Sequence, residues 1–167
     1  MLKIDEIDKR ISDLLINDGR MSCPEVARQI GNISERSVRY RIERLIKNGI
    51  ISVRGSVNAS AIGFPVVGDV FLEVEPGLVQ EIANKLAEYE MISYIACSTG
   101  ENDISLQILA RDHTELYNFV TNEISKISGV RRTHTSFVPF IVKNDQCWPI
   151  PPSCVNKSSR EKNELIK

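Results

Sequence analysis

The chain has 167 residues, of which 42% are hydrophobic, 26% charged and 6% aromatic, and its formal net charge is −1. These values are typical of a globular protein with one or two domains and exclude disordered and collagen-like chains. Charged residues interrupt every apolar run before the ~20 residues that a membrane helix needs. The charged start of the chain lacks the apolar core of a secretory leader. We therefore expect a cytoplasmic protein that does not enter membranes.

Two short helices are predicted at the start of the chain. Apolar residues recur every three or four positions over residues 4–15, which indicates one buried helical face, and residues 17–20 end that helix. Ser22 and Glu25 have the spacing of a capping box, which predicts the first turn of a second helix. Gly31 is typical of the residue that ends such a helix.

A third helix is predicted to follow Ser34, its N-cap. At about 100° per residue, Val38, Ile42 and Leu45 share the face toward the core, so most basic residues point outward or to the flanks. Residues 34–54 hold six basic and two acidic residues, a net charge of +4. A basic stripe of this kind indicates a surface for a polyanion such as double-stranded DNA. The candidate DNA contacts are Ser34, Arg36, Ser37, Arg39, Tyr40, Arg44, Lys47 and Arg54.

The second and third predicted helices are joined at Gly31, and the third carries the arginines. This is the arrangement of a helix-turn-helix domain, here assigned to residues 1–54. A helix fits the major groove, where arginine pairs with guanine, and the first residues of the helix reach phosphates. Arg41 lies nearer the apolar side and is expected to serve packing or a backbone contact. Residues 50–57 predict a short β segment, as in winged variants, which favours DNA binding over the alternative of a three-helix bundle with a basic surface.

A change of period after the expected linker, residues 55–65, marks a second domain over residues 66–143. Alternating apolar and polar residues indicate strands, and stripes at helical spacing indicate two helices. The predicted order is strand 66–74, helix 79–89, strand 92–98, strand 104–110, helix 113–127 and strand 130–142. This β-α-β-β-α-β order predicts an α+β protein, with a ferredoxin-like domain after the winged helix-turn-helix domain.

One face of the predicted sheet is left without helices. It carries apolar side chains such as Val67 and Phe71, so we expect another subunit to cover it. The polar, proline-containing residues 144–167 are expected to form a partly extended tail.

No catalytic or metal-binding pattern is visible in the sequence. His113 falls at a predicted helix start and His134 in a strand, and neither is paired by its spacing with a nucleophile or carboxylate. The four cysteines form no CxxC motif, so we expect reduced thiols, no metal and no cofactor. The loop with Gly100 and Asp103 can offer backbone N–H groups to a carboxylate and an acidic group to an ammonium, as a free amino acid requires, although most such loops only turn the chain.

The ordered set of motifs resembles the Lrp/AsnC family of transcription regulators over roughly residues 3–143. The motifs that carry the resemblance are IDEIDKRI at 4–11, DGR at 18–20, SVRYRIERL at 37–45, GII at 49–51, TGEND at 99–103 and SGV at 128–130.

This resemblance implies a sequence-specific regulator that dimerises through its second domain, often assembles further into octamers, and binds a small effector, usually an amino acid, between dimers. Dimer symmetry implies a pseudo-palindromic operator with two half-sites. The resemblance also implies that Gly100 and Glu101 offer backbone contacts and that Asp103 holds the amino group of the ligand. The full set of effector residues implied is Thr99, Gly100, Glu101, Asn102, Asp103 and, from a neighbouring chain, Thr133 and Thr135.

The chain departs from the family in two places. The turn at residues 31–34 is one residue longer than is common, which affects the expected angle of the third helix. Asn102 stands where an aromatic residue is frequent, which favours a more polar pocket. Two alternatives to an amino-acid-responsive regulator stay open: an enzyme resembling siroheme decarboxylases on the same scaffold, with a catalytic histidine, and a metabolite-binding oligomer that does not bind DNA.

Overall fold

The computed structural model describes residues 3–143 and 148–156 of the chain. These residues belong to two compact units, one of residues 57–142 and one that combines the residues up to 56 with those from 143 onward. Within the described ranges, no helix is long and apolar enough to cross a bilayer.

The first unit is built from three helices, which confirms the predicted order: α1 (Glu6–Asn17), α2 (Cys23–Ile30) and α3 (Glu35–Lys47). Each helix begins after a polar side chain that accepts the backbone N–H three residues later. The capping residues are Asp5, Ser22 and Ser34. One completely buried residue from each helix forms the centre of the core, and these residues are Ile11, Val26 and Val38. The helical pattern alone did not identify the reciprocal capping box between Asp5 and Asp8.

The turn between α2 and α3 uses two successive residues with positive φ, Gly31 at 71° and Asn32 at 52°. Asparagine is one of the few other residues that adopt this conformation. Val38 and Ile42 of α3 then pack into the core formed with α1 and α2. The longer turn is therefore compatible with a packed helix-turn-helix arrangement.

Residues 50–57 are irregular, so the β segment predicted there is not formed. A β segment needs a partner strand, and the sheet found in the described part of the chain contains only strands from the second unit. The N–H of Ile50 instead donates to the carbonyl oxygen of Leu45 at 2.9 Å, which closes the end of α3.

The second unit has the predicted β-α-β-β-α-β order. Its elements are β1 (Val66–Val74), α4 (Val79–Leu86), β2 (Ile92–Cys97), β3 (Ile104–Ala110), α5 (His113–Asn122) and β4 (Val130–Val138). The strands form one antiparallel sheet in the order β2-β3-β1-β4, with Val70 opposite Leu106 on one side and Thr135 on the other. This topology confirms the ferredoxin-like fold.

The core of this unit lies on one face of the sheet. Val70 and Leu72 are completely buried, whereas Phe71 between them is only partly buried, as strand alternation requires. Ile82 of α4 and Phe119 of α5 belong to the same buried cluster, so both helices pack on this face. In the described residues of this unit, the opposite face has no helix on it.

Four elements are shorter than predicted. Helix α4 ends at Leu86 instead of residue 89, and β2 ends at Cys97 instead of residue 98. Helix α5 ends at Asn122, and residues Ile124–Lys126 form a separate 3₁₀ turn. Strand β4 ends at Val138, although alternation predicted a strand to residue 142. Pro139 follows, and because proline lacks an N–H it cannot continue the ladder of hydrogen bonds.

Residues 148–156, which lie in the expected partly extended tail, belong to the first unit. They include a 3₁₀ turn at Pro152–Cys154, after which Val155 forms a single parallel β bridge with Ile4. The rest of the predicted tail, residues 144–147 and 157–167, lies outside the described residues.

Candidate nucleic-acid interface and small-molecule site

The outer face of α3 carries basic and aromatic side chains that this unit does not cover. Arg36, Arg39 and Lys47 are exposed, and Tyr40 is 65% exposed. Arg39 donates from Nη2 to Oε1 of Glu35 at 3.1 Å, with both side chains largely in solvent. An exposed ion pair of this kind contributes little to stability, so Arg39 can exchange Glu35 for another acceptor at small cost.

Two serines fix the first turn of α3. The Oγ of Ser34 accepts the backbone N–H of Ser37 at 3.2 Å and donates to the Ser37 Oγ at 3.0 Å. Both residues are exposed at the end of the helix where the first backbone N–H groups lack helical partners. Arg54, the last predicted DNA contact, is exposed in the irregular segment after α3.

Arg44, one of the predicted phosphate contacts, pairs with a carboxylate of its own unit. Its Nη2 donates to Oδ2 of Asp8 at 2.5 Å, and its side chain is only 27% exposed. Asp8 is completely buried and also accepts from Nη1 of Arg41 at 2.7 Å. A buried carboxylate needs cationic partners, and positions 41 and 44 of α3 lie three residues apart on the same side. The helical periodicity set Arg41 apart from the outward arginines, but it did not set Arg44 apart.

Asp5, Asp8, Arg41 and Arg44 form an ion-pair cluster that joins α1 to α3. Nη1 of Arg41 also donates to both carboxylate oxygens of Asp5, at 2.9 and 2.8 Å. Burial disfavours the charge on Asp5, but the N–H of Asp8 and the guanidinium of Arg41 outweigh burial, so the pKa of Asp5 lies below its usual 3.8. Burial likewise opposes the charge on Arg41, yet the two carboxylates raise the pKa of Arg41. The inner face of α3 is thus held on α1 while the outer face stays exposed.

The loop at residues 99–103 joins β2 to β3 and is anchored by Asp103. Oδ2 of Asp103 accepts the N–H of Val74 at 2.8 Å, and the N–H of Asp103 donates to the carbonyl oxygen of Leu72 at 2.8 Å. The N–H of Ser98 donates to the carbonyl oxygen of Asp103 at 2.9 Å. Asp103 therefore ties the loop to β1. The exposed loop residues are Thr99, Gly100 and Glu101.

A cavity of about 290 Å³ opens beside this loop on the sheet face without helices. Its lining residues are Phe71, Glu73, Glu101, Asn102, Arg132 and His134. Glu73 and Arg132 are opposite each other in the β1–β4 register, with Oε1 and Nη1 3.5 Å apart. The rings of Phe71 and His134 lie side by side, with centroids 6.4 Å apart. The cavity therefore offers acidic, basic and apolar groups within one small volume.

Sequence reasoning identified Glu101 and Asn102 of this cavity but missed the four strand residues. Strand alternation sorts Phe71 and Glu73 onto the helix-free face, but only the sheet order reveals that β4 lies next to β1.

The two threonines of the predicted effector set lie on the other face of the sheet. Thr133 and Thr135 pair with the buried residues Leu72 and Val70, and Oγ1 of Thr133 is 3.3 Å from the Oγ of Ser125. One chain therefore does not bring these threonines to the cavity beside the loop.

The histidines and the described cysteines lie apart from one another or in sites already described. His113 packs against Phe137, with ring centroids 4.5 Å apart, and His134 lines the cavity. Cys23, Cys97 and Cys154 are free thiols, while Cys147 lies outside the described residues. Across the described ranges, no three His, Cys, Asp or Glu residues are grouped so that they could hold a metal ion.

Two family models match the sequence. The first is described as a winged helix-turn-helix DNA-binding domain and matches residues 4–52, the range that contains α1 to α3. The second is described as the Lrp/AsnC ligand binding domain and matches residues 69–146, the range that contains most of the sheet and the loop at residues 99–103. Residues 148–156 lie outside both matches.

Curated relatives match over most of their length. An uncharacterised HTH-type transcriptional regulator of Pyrococcus furiosus is 37% identical over 141 residues, which are 84% of this chain and 95% of the relative. The HTH-type transcriptional regulator LrpA of Pyrococcus horikoshii is 36% identical over 132 residues, which are 77% of this chain and 92% of the relative.

Solved structures share the fold. AsnC of Escherichia coli superposes with a TM-score of 0.78 at 23% identity, covering 87% of this chain and 99% of that chain. A transcriptional regulator of Neisseria meningitidis, solved as a complex with L-Met, superposes with a TM-score of 0.81 at 20% identity, covering 89% and 97%.

Proposed function

Because the chain belongs to the Lrp/AsnC family of DNA-binding transcriptional regulators, we propose that its dimer binds a pseudo-palindromic operator through two copies of α3 and responds to an amino acid. The observation that carries the DNA part is the outer face of α3, where Arg36, Arg39 and Lys47 stay exposed while the ion-pair cluster holds the inner face. Relatives with one third or more identical residues are named transcriptional regulators, which supports binding rather than catalysis as the activity.

In this proposal the residues near and on the outer face make two kinds of contact with DNA. Arg36, Arg39 and Tyr40 enter the major groove and contact bases or nearby phosphates. Ser34 and Ser37 bind phosphate at the helix start, and Lys47 and Arg54 bind phosphate further along. Arg44 is left out, since Asp8 already occupies its guanidinium.

The second unit supplies the dimer in this proposal. The helix-free face of its sheet carries partly buried Val67 and Phe71 beside polar residues, so a second copy that packs on it removes apolar surface from water. Further assembly to an octamer is proposed from the family alone. Since its ligand is chromosomal DNA, we place the regulator in the cytoplasm.

Replacing Arg39 by alanine is expected to weaken operator binding by about 1–3 kcal/mol per half-site and to relax the preference at one base pair, because a bidentate contact with a guanine is lost. Replacing Lys47 by alanine should weaken all sequences alike and flatten the dependence of log K on log salt by about one unit per copy, because only a phosphate contact is lost. The measurement is a salt titration of binding to the protein's own promoter DNA and to scrambled DNA.

A matched control is Lys85→Ala, which removes an exposed basic residue from α4 of the second unit. Its binding should equal that of the unchanged protein. If Arg39→Ala and Lys47→Ala also bind operator normally, the outer face of α3 is not the DNA surface. If the unchanged protein binds no DNA at moderate salt, the alternative of a metabolite-binding oligomer is favoured.

The cavity beside the loop at residues 99–103 is the proposed effector site. In this proposal Glu101 and Glu73 of the lining bind an ammonium group, while Arg132 and backbone N–H groups of the loop bind a carboxylate, which matches the two charges of a free amino acid. Asp103, whose Oδ2 accepts the N–H of Val74, holds the loop beside the cavity. Asn102 makes the lining more polar than an aromatic residue at that position would, and His134 adds a second polar side chain. We therefore propose an effector with a polar side chain.

Among the twenty amino acids, a true effector at about 100 times its Kd should stabilise the protein by about 2.7 kcal/mol, which raises the Tm of a small domain by roughly 10 °C or more. Glu101→Ala should cut this rise at equal ligand concentration, because an acidic partner of the ammonium is lost. The matched control Glu88→Ala removes an exposed acidic residue elsewhere in the second unit and should keep the full rise. Twenty flat melting curves would contradict an amino-acid effector and leave DNA binding untouched.

A further inference from the structure

The last described residues of the chain pair with the first. The backbone N–H of Asn156 donates to the carbonyl oxygen of Ile4 at 2.8 Å, and Nδ2 of the same asparagine reaches that oxygen at 3.3 Å. Val155 is the bridge partner of Ile4 in parallel orientation. Ile4 itself is only 7% exposed. The contact thus combines backbone pairing, a side-chain hydrogen bond and apolar burial.

This pairing involves residues beyond the shared domains. Both family matches end before residue 148, and a relative matched over 95% of its own length covers only 84% of this chain. The segment 151–156 is therefore an addition to the winged helix-turn-helix domain that the family model describes.

The segment contacts the chain next to the ion-pair cluster. Ile4 directly precedes Asp5, which caps α1 and accepts both hydrogen bonds from Arg41 of α3. Holding the carbonyl of Ile4 in place restricts the backbone that leads into Asp5. The position of α3 against α1 depends in turn on Asp5 and Asp8.

We propose that the segment 151–156 is a structural part of the DNA-binding domain of its own chain, where Asn156 acts as a positioning residue that orders Ile4 and Asp5 and so sets the docking of α3. This inference rests on the proposed DNA-binding function. Its own content is that the C-terminal segment raises operator affinity without touching DNA.

The composition of the segment suits docking on the protein rather than on DNA. Residues 148–156 carry no charge and include Pro149, Pro151 and Pro152, which restrict the backbone and lower the entropy lost on docking. The docked residues Val155 and Asn156 follow directly on the 3₁₀ turn at Pro152–Cys154. An uncharged, stiff segment suits pairing with a buried backbone carbonyl better than contact with phosphates.

The decisive variant is Asn156→Pro in the full-length chain, because it removes both donors to Ile4 and keeps the charged residues 157–167. We expect faster hydrogen exchange in peptides that cover residues 3–9, and an operator Kd raised roughly three- to tenfold with an unchanged salt slope. The matched control Cys154→Ser changes an exposed side chain of the same segment and should leave exchange and Kd as they were.

Each other result overturns the inference. Unchanged exchange shows that the segment does not dock. Faster exchange with unchanged Kd removes the positioning role. A raised Kd with a flatter salt slope shows that the segment contacts DNA. If the unchanged protein binds no DNA, the proposed function fails, and the exchange experiment still reports whether the segment docks.

A disulfide trap separates docking within one chain from docking on a second copy. Ile4→Cys and Val155→Cys place two thiols at the bridge, in a chain whose four native cysteines are replaced by serine. After mild oxidation, a product at monomer mass on a non-reducing denaturing gel supports docking within the chain. A product at dimer mass means that a second copy holds the segment and overturns the inference.

Discussion

Replacing Asp8 by alanine should lower the free energy of unfolding of the first unit by about 3–5 kcal/mol, the range for breaking a buried ion pair by removing one partner. Asp8 is completely buried and accepts from Arg41 and Arg44, whose side chains are only 22% and 27% exposed. Without Asp8, Arg44 loses its carboxylate partner and Arg41 keeps only Asp5. Urea unfolding measures the loss, and hydrogen exchange in peptides from α1 and α3 assigns it to the first unit.

Operator binding should fall with this loss of stability, because α3 is docked on α1 through the same cluster. The matched control Glu6→Ala removes an exposed acidic residue from the first turn of α1 and should cost less than ~1 kcal/mol, the range of a helix-dipole contact. A loss for Asp8→Ala no larger than this would show that the cluster does not hold α3.

A second variant tests whether the ion-pair cluster sets the position of α3 or only stabilises the unit. The triple change Asp8→Leu, Arg41→Leu and Arg44→Met removes the buried carboxylate together with both of its guanidinium partners and should cost less stability than Asp8→Ala, since no buried charge is left without a partner. Asp5 also loses Arg41, but its side chain is 46% exposed to water. Weaker operator binding in this stable variant would assign the cluster a positioning role.

Replacing Gly129 by alanine should destabilise the second unit by about 2–5 kcal/mol, for two separate reasons. Gly129 has φ of 91°, which is unfavourable for a residue with a Cβ. A Cβ at this position would also lie 2.6 Å from Cδ1 of Leu78 and 3.1 Å from Cδ1 of Ile82, inside the core. Thermal unfolding of the full chain, with exchange in peptides from β1 and β4, measures the effect.

The control Gly77→Ala isolates the strain from the collision. Gly77 has φ of 87°, but no atom lies within 4 Å of where its Cβ would be, so its replacement should cost only about 1–2 kcal/mol. Equal losses for the two variants would mean that Leu78 and Ile82 move aside freely and that only backbone strain is felt at Gly129.

Features that depend on neighbouring residues in the chain could be predicted from the sequence. Ser34 caps α3 as expected, and β3 runs from Ile104 to Ala110 as the alternation predicts. Such features are local because a cap joins residues three apart and alternation concerns adjacent residues. The order of helices α1 to α5 and of strands β1 to β4 followed from these signals, whereas the β segment predicted at residues 50–57 is not formed.

Features that depend on distant partners could not be predicted. Arg44 turns inward because Asp8, 36 positions away in the sequence, is buried opposite it. The cavity needs Arg132 beside Glu73, a pairing between residues 59 positions apart. Val155 lies in the expected partly extended tail, and its pairing with Ile4 joins residues 151 positions apart. In each case the partner lies far away in the sequence, so only the tertiary structure identifies it.

Two of the four arginines of α3 form ion pairs within the protein. Affinity for random chromosomal sequence grows with the number of phosphates that a protein neutralises. Because Asp5 and Asp8 hold Arg41 and Arg44, this background affinity is lower than the basic content of residues 34–54 alone would give. In the proposed function, operator binding forgoes the same two phosphate contacts, so the regulator should stay bound for a shorter time at every site and owe its selectivity to the contacts with bases.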